Sequence, residues 1–547
     1  MRLKSKEFLL LFGIFYAFFL LLAPFDSFGT IPLSFHQGFF SLVRFDLVAD
    51  DGGHYAYLRS LFFDGNIDFA NEPFNSLLKP DVTGYLSNPW TIGASILWTP
   101  FFLIGHLITL TLNWLGCSLG EHGYSYPYIS MLAIGSLFYS YCGLVFCVKF
   151  LELLFPSGSF FATVVTFTSS CFLYYSFIRP YSDANMEFFA LSLFIYLFTF
   201  YAVRKPDGRA FFICLGISCG LLALIRFNGI IYLAIIITYL TLTIRISRIS
   251  VTNIVYTLIP FLVVISVQGC CNKVLHGGMF LVSKDTTGNV VSFDIVKMKD
   301  ILIGKSGLLL QCPVYLTGIL GYVDLIRHHK SLRQYCYALF SGFLLQILLV
   351  STLANYGNDY GIRYLASTIV LVMPGIARFF SQLNKTKIFL AVGLVLWQYV
   401  QVIQYKIIFD YHNFSIFKAP YYLWLILKDR QDLLLRSSNY VSLVLRGFWG
   451  VENYTDAYFL CFIPCFVAAL LFLTPYILTV CKKKIAIGFV LIFFLFTSCL
   501  IVFNSPKFSQ DETDRRHRLY SQVNIPDAVG YTFKMMNDNL GIKVQNW

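Results

Sequence analysis

Charge is scarce in this 547-residue chain: 13% of residues are Asp, Glu, Lys or Arg, against 57% hydrophobic. Soluble domains carry about 25% charged residues, so this deficit and a mean hydropathy of +0.67 exclude an ordinary water-soluble globule and put the chain in a bilayer. A disordered tail protein, a collagen and a small secreted disulfide scaffold are excluded by the same arithmetic. Motifs are also missing. There is no Gly-x4-Gly-Lys-Ser/Thr, no His-Glu-x-x-His and no paired Cys-x-x-Cys, which removes the standard nucleotide, zinc-protease and dithiol constellations. No internal repeat is present. The 14 cysteines fall mostly inside apolar runs (Cys142, Cys147, Cys171, Cys214, Cys219, Cys336, Cys461, Cys465), where a thiol serves as a small hydrophobe and no disulfide framework follows. Cys461 and Cys465 have no His or second pair nearby to complete a metal site.

What the chain has in abundance is apolar runs near the ~20 residues that cross a bilayer. The first, Phe8 to Phe25, follows a basic start (Arg2, Lys4, Lys6) but is too long, and its exit too bulky, for a cleaved signal; it reads as a retained helix. Twelve more runs follow at 128–150, 159–178, 185–203, 210–226, 229–244, 253–270, 307–326, 335–354, 364–380, 388–406, 457–480 and 485–503. The expectation is therefore an all-α polytopic membrane protein of about 13 transmembrane helices over residues 1–503.

The net charge of +12 is concentrated in short loops rather than on one amphipathic face, which speaks for topology and against nucleic acid. If 91–116, which carries Pro100 and Gly105, does not span, one side collects the N-terminal cations, Lys149, Arg204, Lys205, Arg209, Arg245, Arg248, Arg327, Lys330, Arg333, Arg378, Lys385, Lys387 and Lys482 to Lys484. The opposite short loops then hold only Arg179, Arg226 and Arg363. The positive-inside rule thus puts 91–116 in the outer leaflet or interface, bent at Pro100. Outer segments are then expected at 26–127, 271–305 and 407–456, with a polar outer tail over 504–547.

Polar residues at membrane depth are expensive, of order 2.5–3.5 kcal/mol for a central Arg or Asp, so the clusters that remain invite a functional reading. The first outer segment holds Asp50-Asp51-Gly52-Gly53-His54-Tyr55, two adjacent carboxylates before a Gly-Gly pair, readable as an acidic site or as a helix cap. Asp64, Asn66 and Asp68 resemble the opening of a calcium loop, but Phe69 replaces its Gly and Asn75 its final Glu, so a turn on Asp64-Gly65 is expected. Asp183 and Glu187 share one helix face at i, i+4. Arg179, Arg226, Lys305 and Arg363 each stand at the end of an apolar run, where snorkelling or capping is the plain alternative. Together they suit an anionic lipid: cations hold a headgroup phosphate while a carboxylate acts on what is attached to it.

At these residues the chain resembles the GT-C superfamily of polytopic glycosyltransferases, which includes protein O-mannosyltransferases and aminoarabinose transferases. The resemblance rests on Asp51-Gly-Gly-His-Tyr-Ala-Tyr-Leu-Arg-Ser-Leu-Phe-Phe-Asp-Gly-Asn-Ile-Asp-Phe, similar to the family's Asp-x-x-x-Tyr start and Asp-Gly-Asp-Leu-Asp-Phe continuation. It is joined, in family order, by stretches at 88–102, 222–226, 307–315 and 360–365, covering roughly residues 1–410. It implies a GT-C-like fold with outer juxtamembrane helices in the first loop, and Asp51 or its neighbour Asp50 as the catalytic carboxylate. Many members have Asp-Glu where Gly52 follows Asp51 here, which leaves the choice between the two open and weakens a second acidic metal ligand. The implied activity is transfer of a sugar from a polyprenyl or dolichyl phosphate to a glycan, lipid or protein hydroxyl, with Arg226, Arg363, Arg179 and Lys305 as phosphate ligands. His54, Tyr55, Asp183 and Glu187 are candidates for orienting a cation or the acceptor. No cofactor is expected, with a divalent metal left open. A lipid or solute transporter, or a non-catalytic assembly subunit, is the alternative. The implied location is a bacterial inner membrane or an endoplasmic-reticulum membrane, with the site on the periplasmic or lumenal side.

Overall fold

In a computed structural model the described residues are 5–23, 50–72, 78–86, 88–156, 158–243, 251–280, 295–304, 307–353, 360–408, 466–474, 483–504 and 509–521. Among them the fold is helical, with one isolated antiparallel bridge, Pro80 to Leu86. The helices are α1 (Ser5–Leu22), α2 (Asp50–Arg59), α3 (Gly93–Trp114), α4 (Tyr126–Leu154), α5 (Ser159–Thr168), α6 (Ala184–Arg204), α7 (Arg209–Ile225), α8 (Leu233–Thr243), α9 (Val251–His276), α10 (Ile295–Ile303), α11 (Val314–His328), α12 (Arg333–Thr352), α13 (Ile369–Phe380), α14 (Lys385–Ile408), α15 (Lys483–Asn504) and α16 (Gln510–Ser521).

Six segments among the described residues are long and apolar enough to cross a membrane: Gly93–Trp114, Pro127–Leu154, Ala184–Arg204, Val251–His276, Lys330–Thr352 and Arg363–Phe380. The chain is an integral multi-pass membrane protein, and the six among the described residues fall short of the expected thirteen spans. Part of the shortfall is broken helix. The 159–178 run ends as α5 at Thr168 and resumes as a π turn over Tyr174–Ile178. The 307–326 run is interrupted at Cys312-Pro313, between Leu308–Gln311 and α11, because Pro cannot supply the N–H that continues a helix. The expected 457–480 span and the 407–456 segment lie largely outside the described residues, as do parts of 26–127, 271–305 and the tail; within the tail, Gln510–Ser521 is helical.

Segment 91–116, expected to bend at Pro100, forms one helix, Gly93–Trp114, with Pro100 inside it. Its partners define where it sits. Trp98 donates to Ser136 Oγ at 3.0 Å, Tyr139 donates to the Leu97 carbonyl at 2.9 Å, and Gly105 lies on the Pro127–Tyr128 backbone, so α3 runs along the first half of α4. The second half of α4 meets α6: Ser140 donates to Asn185 Oδ1 at 2.9 Å, and Cys147 and Ser192 are 3.3 Å apart. α3 and α6 therefore follow one another along α4 rather than lying side by side. Their junction is where the charged residues gather. The Arg209 end of α7 is ~25 Å from its Ile225 end at 1.5 Å per residue, so Arg226 stands at the far end of that helix from the Arg204–Arg209 loop.

Apolar helices have little hydrophobic drive to associate with one another in lipid, so close packing must hold them. The tightest case is α11 against α13. A methyl group on Gly321 would stand 1.8 Å from the Gly375 carbonyl oxygen, and one on Gly375 would stand 2.0 Å from that of Gly318. Three glycines thus bring the two backbones into contact.

Candidate active site

The site is assembled from helix ends. Asp50 and Asp51 open α2, Asp183 and Glu187 open α6, Arg226 closes α7, Arg179 follows the π turn and Arg363 starts a 3-10 turn (Arg363–Thr368) before α13. Acids at helix starts and a cation at a helix end each match the local helix dipole. The Arg363 position is strained into place: Ile362 has φ +51° and follows Gly361 at φ +67°, a left-handed conformation that a β-branched residue adopts only when its surroundings enforce it. Here Gln311 Oε1 accepts from the Gly361 N–H at 2.5 Å and Tyr175 donates to the Tyr360 carbonyl at 2.5 Å.

The charges fall into two groups. In the first, Arg226 holds Asp183 with two hydrogen bonds, Nε to Oδ2 at 2.5 Å and Nη2 to Oδ1 at 2.6 Å, and its Nη1 donates to Glu187 Oε2 at 2.8 Å. Asp183 and Glu187 do share one face, and they use it to grip one guanidinium. His54 joins this group, with Nδ1 2.7 Å from the Thr91 carbonyl oxygen and Nε2 3.4 Å from Asp183 Oδ2. Burial raises the Asp183 carboxyl, but Arg226 and His54 outweigh it and hold it well below the usual range. Burial lowers His54, and the Asp183 hydrogen bond and charge overcome that to leave it above the ordinary histidine value.

In the second group, Asp51 is fully buried and its Oδ2 accepts from Arg179 Nε at 3.0 Å. Its Oδ1 is buried with no hydrogen-bond partner in the protein. Asp50, with its side chain 35% exposed, has both oxygens engaged: Oδ1 accepts from Trp90 Nε1 at 3.0 Å and Oδ2 from Arg363 Nη2. The two adjacent acids diverge accordingly. Burial raises Asp51 and the pull of Arg179 and Arg363 does not cancel it; burial also raises Asp50, but Arg363 and then Arg179 reverse it, leaving Asp50 below its ordinary value. A raised carboxylate with an unused oxygen is the arrangement expected of a proton acceptor.

Other expected site residues are placed differently. Tyr55 donates to the Gly123 carbonyl and packs edge-on against Tyr124 at 5.6 Å, and joins neither of these two groups. Its neighbourhood is a separate buried cluster in which Glu72 accepts from Ser60 at 2.8 Å, Arg59 at 3.3 Å and Tyr124, while Arg59 also donates to Asp64 at 2.6 Å. That cluster ties the 117–125 loop to α2. Asp64, Asn66 and Asp68 form the expected turn, with Gly65 at φ +69° and Asn66 Oδ1 accepting from the Asp68 N–H at 2.7 Å. Lys305 lies outside the described residues. Among the described residues no three His, Cys, Asp or Glu side chains gather as a metal ligand set. Trp90 is a residue that sequence reasoning did not single out; its signal was Gly53, where a methyl group would meet the indole.

No family model matches the chain, and no curated protein matches it. Among solved structures it is similar to ArnT from Cupriavidus metallidurans bound to undecaprenyl phosphate, at 10% identity and a TM-score of 0.46, covering 86% of this chain and 78% of that one. The apo state of the same protein gives 10% identity and a TM-score of 0.46, with 86% and 77% covered. At this identity and TM-score the likeness assigns neither a substrate nor site residues.

Proposed function

We propose that the chain is a GT-C-type glycosyltransferase that moves a sugar from a polyprenyl-phosphate donor to a hydroxyl of a glycan, lipid or protein, on the membrane face opposite the Arg204–Arg209 loop. The observation that carries this reading is the unpartnered, buried Oδ1 of Asp51 beside Arg179. It is supported by the first-loop motif around Asp51 and by the position of the charges at the ends of apolar helices. The transferase reading is favoured over transport because the site offers one carboxylate oxygen without a hydrogen-bond partner to take a proton, set among guanidinium groups suited to phosphate.

The acceptor hydroxyl donates its proton to Asp51 as its oxygen attacks the anomeric carbon. The bond from that carbon to the phosphate oxygen breaks, its electron pair leaves with polyprenyl phosphate, and the anomeric centre inverts. Phosphate is a stable leaving group at neutral pH, its second pKa being ~6, so a single carboxylate suffices where a glycosidase needs two. Arg179 and Arg363 stabilise the departing phosphate. Arg226, whose guanidinium is gripped by Asp183 and Glu187, acts as the framework that holds α6 to α7, and α3 lies beside the outer half of α4 rather than crossing alongside α6. Release of polyprenyl phosphate from a panel of polyprenyl-phosphate sugars, with an envelope extract as acceptor, tests the assignment: release by wild type is required. Net movement of intact donor across vesicles without cleavage would replace the reading with transport.

A further inference from the structure

Asp50 and Asp51 are neighbours in sequence, yet only one has an oxygen to spare, and the difference traces to a residue 40 positions away. Trp90 donates its indole N–H to Asp50 Oδ1 at 3.0 Å. The ring lies directly on α2: a methyl group on Gly53 would stand 1.9 Å from Trp90 Cε3 and 2.4 Å from Cδ2. The seat is reinforced from the backbone, because Asn88 donates to the Gly53 carbonyl at 3.1 Å, Asn88 Oδ1 accepts from the Trp90 N–H at 3.0 Å and Tyr57 donates to the Trp90 carbonyl at 3.1 Å. Nothing larger than glycine fits at 53 while the indole keeps this pose.

We propose that Trp90 is a positioning residue, seated on Gly53, whose indole N–H fixes Asp50 so that Asp50 in turn aims Arg363 at the donor phosphate, leaving proton transfer to Asp51 alone. The inference rests on the transferase reading above and deepens it. A carboxylate held at one oxygen by a rigid donor presents the other in a single direction, and the guanidinium it binds inherits that direction. Without the indole bond, Asp50 is free to turn both oxygens onto Arg363 and draw it away from the phosphate. Gly53 after the acids is then a requirement of this seat.

The test separates positioning from folding. Trp90→Phe keeps a ring on Gly53 and deletes the donor; hydrogen bonds to charged groups are worth about 1.5–3 kcal/mol, so the donor KM should rise about 10-fold or more, with kcat within about a factor of two. A residue needed only for folding would lower the active fraction, and so kcat, at unchanged KM. Gly53→Ala should raise KM similarly by displacing the indole, although Ala is the better helix former. In a Trp90→Ala background, where no ring remains to displace, Gly53→Ala should add nothing. Additive effects, or an unchanged KM in Trp90→Phe, would overturn the proposal. An activity-independent readout keeps it distinct from the transferase reading: in protein with 15N-labelled tryptophan, the indole resonance that disappears in Trp90→Phe should shift in Asp50→Ala. An unmoved resonance refutes the positioning contact even if wild type turns over, whereas a shifted resonance in a wild type that cleaves no donor refutes the transferase function instead.

Discussion

Replacing Arg226 with Gln should separate framework from chemistry. The guanidinium binds Asp183 through two hydrogen bonds of 2.5 and 2.6 Å and Glu187 through one of 2.8 Å, with Asp183, Glu187 and Arg226 all buried. Removing one member of a buried ion pair leaves its partner uncompensated and costs about 3–5 kcal/mol, and here two carboxylates lose their cation together. Thermal unfolding in detergent, followed by loss of the monodisperse peak on size exclusion, should therefore show a marked loss for Arg226→Gln and a much smaller one for Arg179→Gln, whose arginine side chain is 19% exposed. The pH dependence fixes the sign. In wild type the depressed Asp183 carboxyl contributes stability that is present above the ordinary carboxylate value and lost as pH falls through its lower folded value. In Arg226→Gln the largest cause of that depression is removed, leaving His54 alone against burial, which favours the protonated acid, so the deficit against wild type should shrink as pH falls from 8 to about 5. A variant as stable as wild type at pH 8, or a deficit that grows on acidification, would refute the framework role.

Two further outcomes follow from the same packing. His54 is raised by Asp183, so it contributes stability that is complete below the ordinary histidine value of about 6.5 and is lost as pH rises through the higher folded value; His54→Asn should lack that alkaline-side decline in unfolding scans taken from pH 6 to 9. Gly321→Ala would put a methyl group 1.8 Å from the Gly375 carbonyl, and prising α11 from α13 should cost about 1–3 kcal/mol, read as a lower unfolding temperature; an unchanged one would contradict the close helix contact.

The sequence carried the parts of this arrangement that depend on local spacing. Asp183 and Glu187 could be put on one helix face because i and i+4 residues meet on any helix, and the Asp64-Gly65 turn could be read from a glycine that takes positive φ. The clustering of Arg179, Arg226 and Arg363 with the acids followed from their common place at the ends of apolar runs. Partner choice did not follow. Whether Arg226 faces a ligand or Asp183 depends on how α6 meets α7, and whether Asp50 or Asp51 has an oxygen to spare depends on Trp90 and Arg363, 40 and 313 positions from Asp50. Tyr55 illustrates the same limit: one residue past His54, its direction around α2 turns it to Gly123 instead of the acids. Helix breaks at Cys312-Pro313 and after Thr168 were hidden by hydropathy, which counts apolar residues and not backbone hydrogen bonds.

In the proposed mechanism Asp51 takes the acceptor proton through its unpartnered Oδ1. Its most direct test is polyprenyl phosphate release by purified wild type, Asp51→Asn and Asp50→Asn under identical donor and acceptor conditions, with folding checked by unfolding temperature. The account predicts that Asp51→Asn binds donor and stays folded but releases nothing above background, while Asp50→Asn retains turnover at saturating donor with a raised KM. Near-normal turnover by Asp51→Asn would contradict it.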